Sequence, residues 1–492
     1  MPHRHKNGLQ AAPSPRVQVD ARLIEINLPG AARATLRTNR AETGMRATTP
    51  GRGPAALLFW LSTFALLSSP AAAVPSFAVQ TGQPCAACHV GAFGPQLTPF
   101  GRSFKEGGYT MRAGDALTNP VSAMAIVSFI NTAKDQAGPP APHYGVNNNA
   151  TIDQISVFVA GGVDEHFGGF SQFTYDGVGR AFAWDNLDLR YADNTTVFGV
   201  PVLAGLSLNN APGITDPWNT LPAWGFPYTA SDLAPAPAAA TILDGGLAQS
   251  VLGVSAYADW DSNFYTEISL YLTPGHGFLR ALGSDFGAGS LTGAAPYLRA
   301  AWHKDSGDQN FEIGAFAFLP DLYPGGDSSA GTSDRYADIG IDGSYQYTGD
   351  MSGIWGVNAR YTNEHQHLAA STLLGGAANL TNTLNDVHLD ASYYWKNEIG
   401  GTIGFFDSWG SADTLLYGDS AAFKPDSGGF VFQVDGTVFG RDMETLDGRF
   451  NVRLGLQYTA YTKFDGGATN YDGFGANASD NNTLRIFAWV AL

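Results

Sequence analysis

From about Pro120 to the C-terminus, apolar and polar residues alternate with a period of two, the pattern of strands that meet a different environment on each face. Phe450, Val452, Leu454, Leu456, Tyr458 and Ala460 fall on one face, with Asn451, Arg453, Gln457, Thr459 and Lys463 on the other. Ala337, Ile339, Ile341, Tyr345 and Tyr347 oppose Asp338, Asp342, Ser344 and Gln346 in the same way. Phe264, Thr266, Ile268, Leu270 and Leu272 oppose Tyr265, Glu267 and Ser269. The alternation predicts about sixteen strands, joined by connections that are long and short by turns. Long ones fall near 132–150, 209–247, 273–293, 320–333, 362–383, 409–427 and 464–481, and short ones at 164–166, 259–263, 348–352 and 396–398. The chain ends on a strand, 484–492, able to close a sheet on itself without an exposed edge.

Composition narrows the environment. The 492 residues include 60 Gly and are 12% aromatic but only 14% charged, against about 25% charged in soluble domains. Beyond the N-terminal leader no run reaches the ~18–20 apolar residues of a spanning helix. The chain therefore reads as all-β: a transmembrane antiparallel β-barrel over 118–492, apolar toward lipid and polar toward a wet lumen, in the outer membrane of a Gram-negative bacterium. A barrel of this strand number is expected to enclose an aqueous channel. A net charge of −17 argues against nucleic acid as a partner.

Residues 45–73 read as a secretory signal, with Arg46 and Arg52 before an apolar core from Ala55 to Leu67 and Ala71-Ala72-Ala73 as a small-residue cleavage site. Met45 is the expected start, and 1–44 an upstream extension without functional weight.

The two cysteines stand three positions apart, in Cys85-Ala86-Ala87-Cys88-His89. This spacing suits covalent attachment of one haem c: two thiols add across the vinyl groups, and the adjacent His89 reaches the iron as proximal ligand. A redox-active thiol pair and half of a zinc site are the alternatives. The first would not require His89, and the second needs further ligands for which no second Cys pair exists. Downstream, Thr98 as cap, Pro99 in the first turn and Gly107-Gly108 as stop predict a short helix. Phe100 and Phe104 share one face of it, able to cover a porphyrin. Residues 74–117 thus form a small monohaem c-type cytochrome segment, too short for a large core of its own, and are expected to plug the lumen.

Pro75-Ser76-Phe77-Ala78, Gln80-Thr81-Gly82, the Cys85–His89 motif and Pro95-Gln96-Leu97-Thr98-Pro99-Phe100-Gly101-Arg102 resemble the fused monohaem cytochrome–porin family, whose best-known members are outer-membrane iron oxidases of iron-oxidising bacteria. Trp184-Asp185-Asn186, Arg190-Tyr191-Ala192, Asp216-Pro217-Trp218-Asn219 and Pro222-Ala223-Trp224-Gly225-Phe226-Pro227 continue the resemblance into the first third of the barrel. It implies one haem in a porin-like barrel, with Cys85, Cys88 and His89 holding it. It also implies electrons taken from extracellular Fe(II) or another reductant and delivered to a periplasmic cytochrome c or similar carrier.

The distal haem ligand is not fixed by sequence. His388 and His303 share polar strand faces, while Met111 and Met124 lie close to the haem motif in sequence; each is equally a pore-lining or packing residue. His365 and His367, beside Glu364 in an expected outer loop, are candidates for transient metal binding, with solvated histidines as the plainer reading. Asp216, Asp232, Asp244, Asp321, Asp327, Asp419 and Asp465 make the outer connections acidic, which would concentrate a divalent cation at low salt. The longest connection, 209–247, carries Trp218, Trp224 and Phe226 and is expected to fold inward over the haem. Competing readings are a conduit for a different donor and a porin whose haem is a structural or sensory plug.

Overall fold

The computed structural model describes residues 76–492 apart from 115–116, 350–351, 442 and 444–447. The expected signal at 45–73 and the extension at 1–44 lie outside the described residues. Among the described residues, no helix is long and apolar enough to cross a membrane.

Among the described residues, one antiparallel sheet holds eighteen strands, of which Gly289–Leu291 and Asp321–Pro324 are short pieces paired with each other. The other sixteen form the barrel: β1 Val121–Thr132, β2 Asn149–Gly162, β3 Phe167–Asp176, β4 Ala181–Val197, β5 Val200–Asn209, β6 Leu252–Trp260, β7 Phe264–Leu272 and β8 Ala295–Ser306. They continue as β9 Gln309–Phe318, β10 Asp334–Tyr347, β11 Gly353–His367, β12 Thr381–Trp395, β13 Ile399–Gly410, β14 Ser427–Thr437, β15 Asn451–Lys463 and β16 Thr483–Ala491. Each pairs with its sequence neighbour, and β1 pairs with β16, with Met124 opposite Ala491 and Thr132 opposite Thr483. Closure leaves no unpaired backbone edge, which hydrocarbon could not satisfy.

Burial runs inside out. On β15 the charged and amide side chains Arg453 and Gln457 are buried, whereas Leu454 and Leu456 are 51% and 47% exposed. On β10 Asp338 and Asp342 are buried while Ile339 and Ile341 are each 59% exposed. Each such aliphatic side chain would sacrifice about 1.5–3 kcal/mol facing water, so this surface belongs against lipid. A closed, even-stranded antiparallel barrel with an apolar exterior and polar interior is an outer-membrane β-barrel.

Glycine serves the inner wall. Gly205, Gly253 and Gly455 lie across from Tyr257, Tyr271 and Phe487, and a Cβ added at any of them would meet the partner ring at 2.1–2.2 Å. Aromatic rings therefore lie flat over cross-strand glycines, which accounts for part of the glycine richness.

The alternation of loop lengths breaks twice. The β3–β4 hairpin at 177–180 is tight although it belongs to the end with long loops, and the β14–β15 connection at 438–450 is long although it belongs to the other. The expected loop at 362–383 contracts to 368–380 because β11 runs on to His367. Two residues expected to cooperate are thereby parted: Glu364 is buried inward and His365 is exposed on the outer wall.

The expected open aqueous channel gives way to a packed interior. The connection 210–251 folds into the barrel, where Leu221, Ile242, Leu243, Leu247 and Val251 form a core with Tyr271, Tyr297, Phe316 and Phe318 of the inner wall. The chain ahead of β1 occupies lumen as well. It carries α1 Ser76–Thr81, α2 Cys85–Cys88 and α3 Pro99–Glu106, and hydrogen-bonds to inward-facing wall residues and to the inserted connection.

Candidate functional site in the barrel lumen

The Cys85–His89 turn is built locally and then clamped from outside. Pro84 precedes α2, whose single turn brings His89 N–H to the Cys85 carbonyl at 2.9 Å. The chain then doubles back, with Val90 N–H donating to Gln96 O and Thr98 N–H to Cys88 O, both at 2.9 Å. Thr98 also caps α3 by accepting Gly101 N–H at 3.2 Å, with Pro99 in the first turn and Gly107 at the end, where the sequence predicts them. Gly101 is required sterically: a Cβ there would stand 2.2 Å from the Cys88 carbonyl oxygen.

A turn this irregular leaves carbonyls without secondary-structure partners, and buried carbonyls need them. The wall and the 396–398 turn supply them. Asn397 donates to Ala86 O and His89 O and accepts Gly91 N–H. Thr437 donates to Gly91 O, Asn451 to Ala92 O and Arg453 to Phe93 O. On the other side Arg102 and Gln346 meet, Gln346 donates to Leu97 O, and Lys105 donates to Ile214 O and Asp216 O. Arg190 donates to Lys105 O and Tyr257 to Glu106 O.

The inserted loop closes over this segment. Asp216 accepts the N–H groups of Trp218, Thr220 and Leu221, which bends the chain so that Asn219 accepts Leu97 N–H and donates to Pro95 O. Asp216 itself is fully buried and 3.4 Å from Arg299, so it is an interior anchor, contrary to its expected place on an acidic outer surface.

At the turn, Cys85 and Cys88 carry free thiols. Burial pushes the Cys88 thiol up to about 12 and raises Cys85 too. Thiolate is then scarce near neutral pH, which disfavours a thiol–disulfide exchange site. Burial, aided by the positive charge of Arg453, pulls His89 down to about 4. Its imidazole is neutral near pH 7, the form that ligates metals. His89 Nδ1 is buried with no hydrogen-bond partner. Two thiols on one turn and a neutral, incompletely satisfied imidazole beside them fit the donor set of a covalently held haem.

The other predicted site residues are dispersed. His303, on β8, is 2.9 Å from Asp259 and packs beside Trp218. His388, on β12, faces inward 3.3 Å from Asp386. Met111 is exposed, and its carbonyl accepts from Gln80. Met124 alone among the four packs in the cluster with Phe93 and Trp489, and its sulfur accepts the Trp489 indole N–H at 3.1 Å. Phe104 does not stand free to cover a ligand, since its ring packs against Phe77 and Tyr109 at 5.1 and 5.7 Å. Nothing local in the sequence marks Asn397, Asn451, Arg453 and Asn219 as clamps on this turn. Strand alternation marks Asn451 and Arg453 as inward-facing, but nothing local tells which backbone they meet.

No family model and no curated protein matches the chain. Among solved structures, the outer-membrane channel DcaP of Acinetobacter baumannii aligns with 78% of this chain and 99% of its own, at 10% identity and a TM-score of 0.44. OprB of Pseudomonas putida aligns over 75% and 93%, at 12% identity and a TM-score of 0.44. OmpT of Vibrio cholerae aligns over 76% and 97%, at 10% identity and a TM-score of 0.39.

Proposed function

We propose that this barrel transfers electrons across the outer membrane through one haem c attached to Cys85 and Cys88 and ligated by His89. Extracellular Fe(II) is the donor and a periplasmic cytochrome c or similar carrier the acceptor. The observation that supports it most is the Cys85–His89 turn, with Cys85 buried and Cys88 and His89 half-buried, clamped in the lumen with His89 Nδ1 unpartnered. Bound there, a haem would supply a one-electron couple whose potential follows axial ligation, burial and nearby charge. The chain's own part is to hold that group and keep water from it. The wall and the inserted loop 210–251 limit solvent around the turn, and Asn219 and Asn397 fix it. Each Fe(II) gives up one electron and leaves as Fe(III) on the outer side, so no substrate need pass through the filled interior.

Rapid mixing of the oxidised, purified protein with anaerobic Fe(II) near neutral pH, followed at the c-type haem bands, tests this. Prompt reduction that is lost in Cys85→Ser is the expected result. A haem reduced by dithionite but not by Fe(II) would point to a different donor, and absence of covalent haem from exported protein would end the reading.

A further inference from the structure

A second cluster of ligating side chains lies in the lumen, away from the cysteines. Asp386 and His388 sit two residues apart on the inner face of β12, and Asp244 reaches them from the inserted loop. One ligand atom from each lies within 4.8 Å of the other two. We propose that Asp244, Asp386 and His388 form a binding site for a divalent first-row transition cation, entered from the side of the long loops. Two carboxylates and an imidazole suit Mn(II), Fe(II), Co(II) or Zn(II), and only three protein ligands leave positions for water. The Asp244 and His388 side chains are 37% and 31% exposed, so the site is open to exchange.

Arg360 is the competing partner, 3.1 Å from Asp386 and 3.8 Å from Asp244. That is a single guanidinium against the two carboxylates of Asp244 and Asp386. The turn carrying Asp244 is held by Glu364, which accepts Ile242 N–H, and by Asp338, which accepts Leu243 N–H at 2.9 Å. Asp338 is fully buried, and its carboxyl shares a side-chain hydrogen bond with that of Glu364. Arg360 fixes Asp386, leaving His388 and Asp244 to close on an ion. The ion site stands without the haem; that its ion is the electron donor rests on the function proposed above.

Mn(II) binding to the full-length protein in detergent is read from the loss of the free-ion paramagnetic resonance signal. One Mn(II) per chain is expected, weakened about tenfold or more in His388→Ala and in Asp244→Asn. The outward-facing His365→Ala should bind like wild type, and retained strand circular dichroism shows that each variant folds. Equal binding in wild type and both lumen variants, or none in wild type, overturns the site. Lost binding in both variants, with wild-type haem that Fe(II) fails to reduce, supports the ion site and ends the reading of Fe(II) as the electron donor. Unchanged binding with prompt haem reduction does the reverse.

Discussion

At the scale of single residues, the turn that carries the cysteines depends on side chains far away in sequence. Asn397 is almost fully buried, occupies a left-handed conformation at φ 55°, and satisfies three backbone groups of the turn. Asn tolerates that conformation better than Ala, and its loss would leave buried polar groups unpaired at about 1–3 kcal/mol. Asn397→Ala is therefore expected to speed hydrogen exchange of the Gly91 amide about tenfold or more, with the barrel otherwise intact. Unchanged exchange would show that the turn holds itself. Arg453 makes a comparable case. It binds Asp435 at 2.8 Å and Phe93 O, all out of solvent. Removing one partner of a buried pair costs about 3–5 kcal/mol, whereas removing both is far milder. Arg453→Met should lower the unfolding midpoint markedly, and Arg453→Met with Asp435→Leu should recover much of it. A double variant as unstable as the sum of the two single variants would refute this coupling.

At the scale of elements, the long loops are organised by buried acids rather than left as loose solvated arcs. Asp413 joins the connections 368–380 and 411–426 by accepting the N–H groups of Ala378, Asn379, Leu415 and Leu416 and the Asn382 side chain. Burial alone would raise its pKa, but the N–H donors of Leu416, Ala378 and Asn379 outweigh it and hold the carboxyl well below the usual range. A depressed folded pKa means stability that is present above the unfolded value, roughly 4, and is lost as pH falls through the folded one. Asp413→Asn should accelerate proteolysis within 411–426 at pH 7, while the wild type approaches the variant only in strong acid. Equal cleavage at pH 7 would show that these donors do not need the charge.

For the whole molecule, the decisive feature is that a barrel of porin size is filled. Two insertions meet inside it, the segment before β1 and the loop 210–251, and they grip each other through Asn219 and Lys105. In planar bilayers the protein should conduct far less than an open porin of similar strand number. The loop is also tied at its far end, where Pro235 O accepts from Tyr461 and Ala238 N–H donates to Asp465. Deleting 234–240 should raise conductance and admit bulkier reductants to the cysteine turn. An unchanged conductance and reduction rate would mean that other contacts alone keep the lumen shut.

The barrel is legible in the alternation, the composition and the loop spacing. A two-residue period puts Ile339 and Leu454 on one face and Asp338 and Arg453 on the other; a soluble sandwich would share that alternation, and the low charge and the alternating loop lengths turn the apolar face outward to lipid. The helix after the cysteines was equally legible, since Thr98, Pro99 and Gly107 act on backbone a few residues away. Tertiary structure decided the rest. Period-two patterning says that Asn451 faces inward but not that it meets Ala92, nor that Asp216 is an interior anchor and Glu364 turns its back on His365. Those outcomes depend on where a long loop and an N-terminal segment settle inside the barrel. Loops carry little periodic signal, and their placement follows from burying Leu221 and Leu243 and satisfying inward charges across hundreds of residues of chain.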